Sequence, residues 1–64
     1  MINIVYKLNL TRIYVDPETT LSTVVKYACK YFKIDNGFLY NTDDLNELAD
    51  NYNNKYLRLI EYGG

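Results

Sequence analysis

Apolar and polar positions alternate from Ile2 to Tyr6, with Ile2, Ile4 and Tyr6 on one side and Asn3, Val5 and Lys7 on the other. A period of two is the pattern of a half-buried strand, and it places Ile2 and Ile4 in the core and Asn3 outside it. Lys7-Leu8-Asn9-Leu10 breaks the alternation. Asn9 tolerates left-handed backbone best, which predicts a hairpin turn that leaves at least one of Leu8 and Leu10 exposed. Alternation resumes from Thr11 to Asp16 with Ile13 and Val15 inward, completing an amino-terminal β-hairpin.

Pro17 has no N–H to give a ladder, so Asp16 to Thr20 ends the second strand and Thr20 is placed to cap a helix. Leu21, Val24, Val25, Ala28, Tyr31 and Phe32 recur at helical spacing, with Ser22, Thr23, Lys26, Lys30 and Lys33 largely opposite them. This predicts an amphipathic helix Leu21–Phe32 of about three turns, its late lysines suited to the negative end of the helix dipole. Asn36-Gly37 supplies a left-handed stop, with Ile34 folding back on the core. A third strand comes next over Gly37–Asn41, with Phe38 and Tyr40 on one face and Leu39 on the other. Thr42-Asp43-Asp44 reads as a polar turn, and Leu45 as a brief fourth strand or an extended return. Leu48-Ala49 is a small apolar step with room for one helical turn, Asp50 to Asn54 is a polar loop, and Lys55 to Tyr62 is the last strand. In that strand Leu57 and Leu59 face one way and Tyr56, Arg58 and Ile60 the other.

Hairpin, helix, strand, irregular piece, strand is an α+β order: one helix across one face of a mixed sheet of four to five strands. The long crossover through the helix makes the first and last strands parallel neighbours. The expected core is Ile2, Ile4, Ile13, Val15, Leu21, Val24, Val25, Ala28, Ile34, Phe38, Leu45, Leu48, Leu57 and Leu59, one domain over residues 1–62 with Gly63-Gly64 as a tail. At 64 residues the chain is near the lower limit for independent folding, since a domain of this size buries only about 60% of its unfolded surface.

Composition narrows the function. Seven basic and eight acidic residues give a net charge of −1 without a basic block, which argues against a nucleic-acid binder. No apolar run approaches the roughly 18 residues of a membrane span. The chain therefore reads as soluble, cytoplasmic and monomeric. Cys29 is the single cysteine and there is no histidine, so an internal disulfide and a zinc site are both excluded from the reading. Without a base beside it, Cys29 is a core or boundary residue and not a nucleophile. Asp43-Asp44 reads as a solvated turn, and the lysines need no explanation beyond exposed charge. Tyr14, Tyr27, Tyr52 and Tyr56 lack the basic groove of a base-stacking platform and are boundary residues with wet hydroxyls.

The terminal Gly63-Gly64 is the remaining signal. Such an end is thin and unbranched, able to thread a narrow channel and present its carboxylate; the plainer alternative is a frayed tail or cloning scar.

Ile13-Tyr14-Val15-Asp16-Pro17-Glu18-Thr19-Thr20-Leu21-Ser22-Thr23-Val24 resembles the second strand, proline-bearing loop and Thr-initiated helix of the ubiquitin-like, or β-grasp, family. Phe38-Leu39-Tyr40 resembles its third strand, Thr42-Asp43-Asp44-Leu45 the turn after it, and Leu57-Arg58-Leu59-Ile60 the last strand. The resemblance implies a modifier or sulfur carrier: an E1-like activating enzyme adenylates the Gly64 carboxylate with ATP, and a sulfur nucleophile then attacks. The product would be a thioester passed through an E2-like enzyme to a protein target, or a thiocarboxylate for a sulfur acceptor. Gly63 and Gly64 would be the conjugation terminus; the domain itself would be no enzyme and hold no cofactor, ATP belonging to the partner. Glu61-Tyr62 stands where ubiquitin has an arginine-rich approach, which implies a dedicated activator.

Leu8, Leu39 and Ile60 fall at positions resembling the apolar patch through which ubiquitin meets its readers, and with Glu61 and Tyr62 they form the expected partner-binding patch. The alternative is that Leu39 packs inside and Leu8 is a turn residue. The helix Leu21–Phe32 with its short loop also looks like the compact ubiquitin-like domains of AAA-unfoldase adaptors. That resemblance implies a second function: a non-conjugated protein-interaction module of an adaptor.

Overall fold

In the computed structural model, which describes residues 1–62, β1 (Ile2–Tyr6) pairs antiparallel with β2 (Asn9–Ile13). Tyr6 lies opposite Asn9, so the turn is Lys7-Leu8, and Lys7 takes the left-handed conformation at φ 55°. Local preference favours Asn9 for that geometry; pairing with Tyr6 keeps Asn9 in the ladder instead. β2 is correspondingly earlier than the expected Thr11–Asp16, and Val15 is a half-buried residue beyond its end.

Helix α1 (Leu21–Phe32) has the expected bounds and buries Leu21, Val24, Val25, Ala28 and Cys29 on one side. Neither of its ends closes as the sequence predicts. Thr20 occupies the cap position but its hydroxyl bonds no backbone N–H; it meets the Thr23 hydroxyl at 3.4 Å. The free N–H groups of Leu21 and Ser22 instead donate to the carbonyls of Glu47 and Leu45, each at 2.9 Å. At the other end Lys33 is left-handed (φ 60°), and the N–H of Ile34 reaches back to the Cys29 carbonyl at 2.9 Å. This six-residue closure folds Ile34 onto the core, so Asn36-Gly37 is not the stop. Gly37 opens the next strand because a Cβ there would sit 3.0 Å from the Ile60 carbonyl oxygen.

β3 (Gly37–Leu39) pairs antiparallel with β4 (Tyr56–Glu61), and β4 pairs in parallel with β1. The sheet order is β2-β1-β4-β3, a mixed four-stranded sheet with α1 across one face. This is the β-grasp arrangement expected from the order of elements. Between β3 and β4 the chain forms a strap instead of a fourth strand at Leu45. Thr20 bridges Leu48, Ala49 donates its N–H to the Thr19 carbonyl at 2.8 Å, and a 3₁₀ helix covers Ala49–Tyr52. Glu47 ties this strap together by accepting from the Tyr52 hydroxyl at 2.7 Å.

The buried core includes Ile2, Ile4, Leu21, Val24, Val25, Ala28, Leu57 and Leu59 as expected, with Ile13, Val15 and Ile34 packed partly buried at its margin. It also takes in Tyr6, Cys29, Leu39 and Ala49, while Leu45 and Leu48 stay largely exposed and Phe38 is only half-buried. Leu45 and Leu48 serve the strap through their backbones, which leaves their side chains outside. Asn3 is also covered, against expectation: it lies on the face away from the helix, flanked by Arg12 and Tyr56, and its amide donates to the Lys55 carbonyl at 3.3 Å. That bond satisfies a buried polar group which would otherwise be costly.

Candidate interaction surface

Strand register decides which side chains share the sheet face that α1 leaves uncovered. Ile4 opposes Leu57, and Leu39 opposes Leu59, so these positions face the helix. One residue to either side, the parity reverses. Val5, Leu10, Arg12, Tyr56, Arg58, Ile60 and Phe38 therefore point outward, and Tyr40 joins them because its N–H continues the ladder to the Arg58 carbonyl at 2.9 Å. Tyr62 extends the surface: its N–H donates to the Asn36 carbonyl at 3.0 Å and its ring packs on Phe38 with centroids 4.8 Å apart.

The result is a face of one chemical character. Tyr40, Tyr56, Tyr62 and Leu10 are exposed, and Val5, Ile60 and Phe38 are half-covered between them. Its charged side chains are Arg12 and Arg58, and no carboxylate occupies an outward position of the four strands. Aromatic rings beside arginines with little opposing charge are the composition of a protein-docking surface.

The residues picked from sequence divide across this geometry. Ile60 and Tyr62 are on the face. Leu8 stands fully exposed at the tip of the β1–β2 turn. Leu39 is 2% exposed and belongs to the core, so it cannot be part of a surface patch. Its place on the outer face is taken by its neighbours Phe38 and Tyr40. Glu61 has the inward parity and is held at the sheet margin, where the Tyr6 hydroxyl donates to its Oε1 at 2.7 Å. Gly63 and Gly64 lie outside the described residues. Sequence pattern alone does not mark Phe38, Tyr40 and Leu10 as surface residues of one patch. The pairing of β3 with β4 is the signal required, because a three-residue strand does not fix its own parity.

A model of the TUG ubiquitin-like domain matches residues 4–58. The chain belongs to that family. The matched span carries the TUG ubiquitin-like domain from β1 through α1 and the strap to Arg58 in β4, while Leu59 to Gly64 lie beyond it. No curated protein and no solved structure matches the chain. Among the described residues no group of three or more His, Cys, Asp or Glu side chains could hold a metal ion. Burial, with a smaller contribution from Glu61, pushes the Cys29 thiol above its ordinary range, so little of it is thiolate at neutral pH.

The two tyrosine–carboxylate bonds of this TUG ubiquitin-like domain give a pH prediction. Hydrogen bonding to Glu61 and, less strongly, burial raise the Tyr6 phenol above the ordinary 10.0, and Glu47 does the same for Tyr52. Above pH 10 an unfolded chain would release these protons while the folded chain retains them. Their contribution is complete below that pH and is lost as pH rises through the raised values. Ultraviolet titration is expected to show two of the eight tyrosines ionising late, and urea midpoints are expected to fall over the same alkaline range. In Glu61→Gln the late Tyr6 ionisation should move earlier.

Proposed function

We propose that this domain is a protein-interaction module of an adaptor protein, and that it docks a partner on the outer face of its sheet. The observation that supports this most directly is the continuous set Tyr40, Tyr62, Phe38, Ile60 and Arg58, aromatic and cationic, on the face opposite α1. Membership of a ubiquitin-like family agrees with a domain that works by binding and carries out no reaction itself. The competing reading, in which an activating enzyme uses ATP on the Gly64 carboxylate, rests on two glycines outside both the matched span and the described residues. The interaction module is the better-supported function.

Capture of cellular partners on the immobilised domain, quantified by mass spectrometry and then by titration of the leading partner, tests the proposal. Tyr40→Ala and Arg58→Glu change exposed residues and should leave the melting curve almost unmoved. Each is expected to weaken partner binding about 30-fold, the magnitude typical of a central tyrosine or arginine anchor. Removing Gly63 and Gly64 should leave affinity unchanged. Binding indifferent to both substitutions would overturn the docking face, and ATP-dependent covalent attachment through Gly64, with activity lost on glycine removal, would establish the carrier instead.

A further inference from the structure

β3 is an edge of the sheet, and the turn that leaves it lines, together with two rings of the outer face, a small pocket of about 190 Å³. The turn is tight: Asn41 is left-handed at φ 62°, and the Thr42 N–H returns to the Leu39 carbonyl at 3.3 Å. Asp43 is thereby held beside the strand the chain has just left. The rings are Phe38 and Tyr62, with centroids 4.8 Å apart and planes tilted at 42°, and Leu45 adds an aliphatic wall. The pattern of residues makes both Asp43 and Asp44 turn formers, but their carboxylates have different surroundings. Asp44 accepts the Asn46 N–H at 2.9 Å, whereas Asp43 lines the pocket and is the only charged residue that does.

Size and chemistry select the occupant. The pocket falls below the roughly 300–1,000 Å³ of small-molecule sites and suits a single side chain. Aromatic rings, an aliphatic wall and one carboxylate are the complement of a long side chain that ends in positive charge. A lysine ammonium is compact and strongly hydrated, while a guanidinium stacks on rings and gives a carboxylate two parallel N–H bonds. We propose that this pocket is the specificity anchor of the outer face and receives an arginine side chain of the protein partner. The proposal rests on the outer-face reading and gives it a direction. Arg12 and Arg58 oppose a second arginine over the middle of the sheet, so charge favours the β3 end for the partner's cation and turns its acidic groups toward Arg58. Leu45, 41% exposed although apolar, then packs against the methylene stem of the arginine.

The test is selection of a random dodecapeptide library on the intact chain, followed by titration of the enriched peptides with amide resonances read at Phe38, Asp43 and Tyr62. Enriched sequences are expected to share an arginine and to shift all three resonances. Citrulline in place of that arginine, similar in shape but uncharged, should weaken binding about tenfold, and lysine should restore it only in part. Asp43→Asn, a change at an exposed turn that should leave the melting curve almost unmoved, is expected to weaken the arginine peptide about tenfold and the citrulline peptide hardly at all, because both changes remove one interaction. Asp44→Asn alters the net charge equally and should leave both peptides unaffected. Failure to enrich arginine-bearing peptides, binding that leaves those three resonances in place, or equal losses in the two asparagine variants would overturn the pocket. Peptides weakened by Tyr40→Ala and indifferent to Asp43→Asn would overturn the pocket while the outer face stands, and indifference to both would overturn the two together.

Discussion

Leu39→Ala is expected to lower the free energy of unfolding by about 2–5 kcal/mol, the range for a fully enclosed leucine that leaves a cavity behind. Leu39 is 2% exposed and opposes Leu59, itself 1% exposed, where β3 meets β4 beneath the helix. Small domains have only about 5 kcal/mol or somewhat more to lose, so the variant should unfold at a much lower urea midpoint and, at the upper end of that range, be substantially unfolded at room temperature. Tyr40→Ala is the control, since its ring is 58% exposed and its backbone bond to Arg58 survives the change. It should lower stability by less than about 1 kcal/mol while weakening the outer-face partner. Equal midpoints for Leu39→Ala and the unaltered chain would mean that the inward parity of β3 is wrong, and the outer face with it.

The contrast between those neighbours shows where sequence reasoning reaches its limit. Ile2, Ile4, Leu57 and Leu59 can be placed because long alternating runs determine parity, and the helix can be bounded because its apolar spacing spans all three turns. Phe38-Leu39-Tyr40 offers three apolar residues in a row, and only the long-range register with β4 decides that the smallest goes inside. Lys7 and Lys33 adopt left-handed backbone although Asn9 and Gly37 are nearby and better suited to it. In both cases tertiary demands outweigh local preference: Asn9 is held in the hairpin ladder, and Gly37 is required where β3 approaches the Ile60 carbonyl. The candidate surface is legible in Ile60 and Tyr62 and illegible in Phe38, Tyr40 and Leu10 for the same reason of register.

Ala49→Asp carries the other large effect, and its origin is the way the helix begins. Thr20 has the right chemistry for a side-chain cap, yet the N–H groups of Leu21 and Ser22 are satisfied by the carbonyls of Glu47 and Leu45. Those carbonyls arrive there only because the strap is pinned, by the Thr20–Leu48 bridge and by the Ala49 N–H on the Thr19 carbonyl. Ala49 is fully buried at the pin, inside the apolar core cluster. An aspartate at this position must either bury an unpaired carboxylate or pull the strap away and leave both helix donors without partners. Either route is expected to cost about 3–5 kcal/mol, against about 1 kcal/mol for Ala49→Gly, which keeps the strap in place. Hydrogen exchange distinguishes the consequence from general weakening: in Ala49→Asp the amides of Leu21 and Ser22 should lose protection before those of Ile4 and Leu59. Simultaneous loss at all four sites would show that the strap and the sheet unfold as one unit and that capping by the strap has no separate energetic identity.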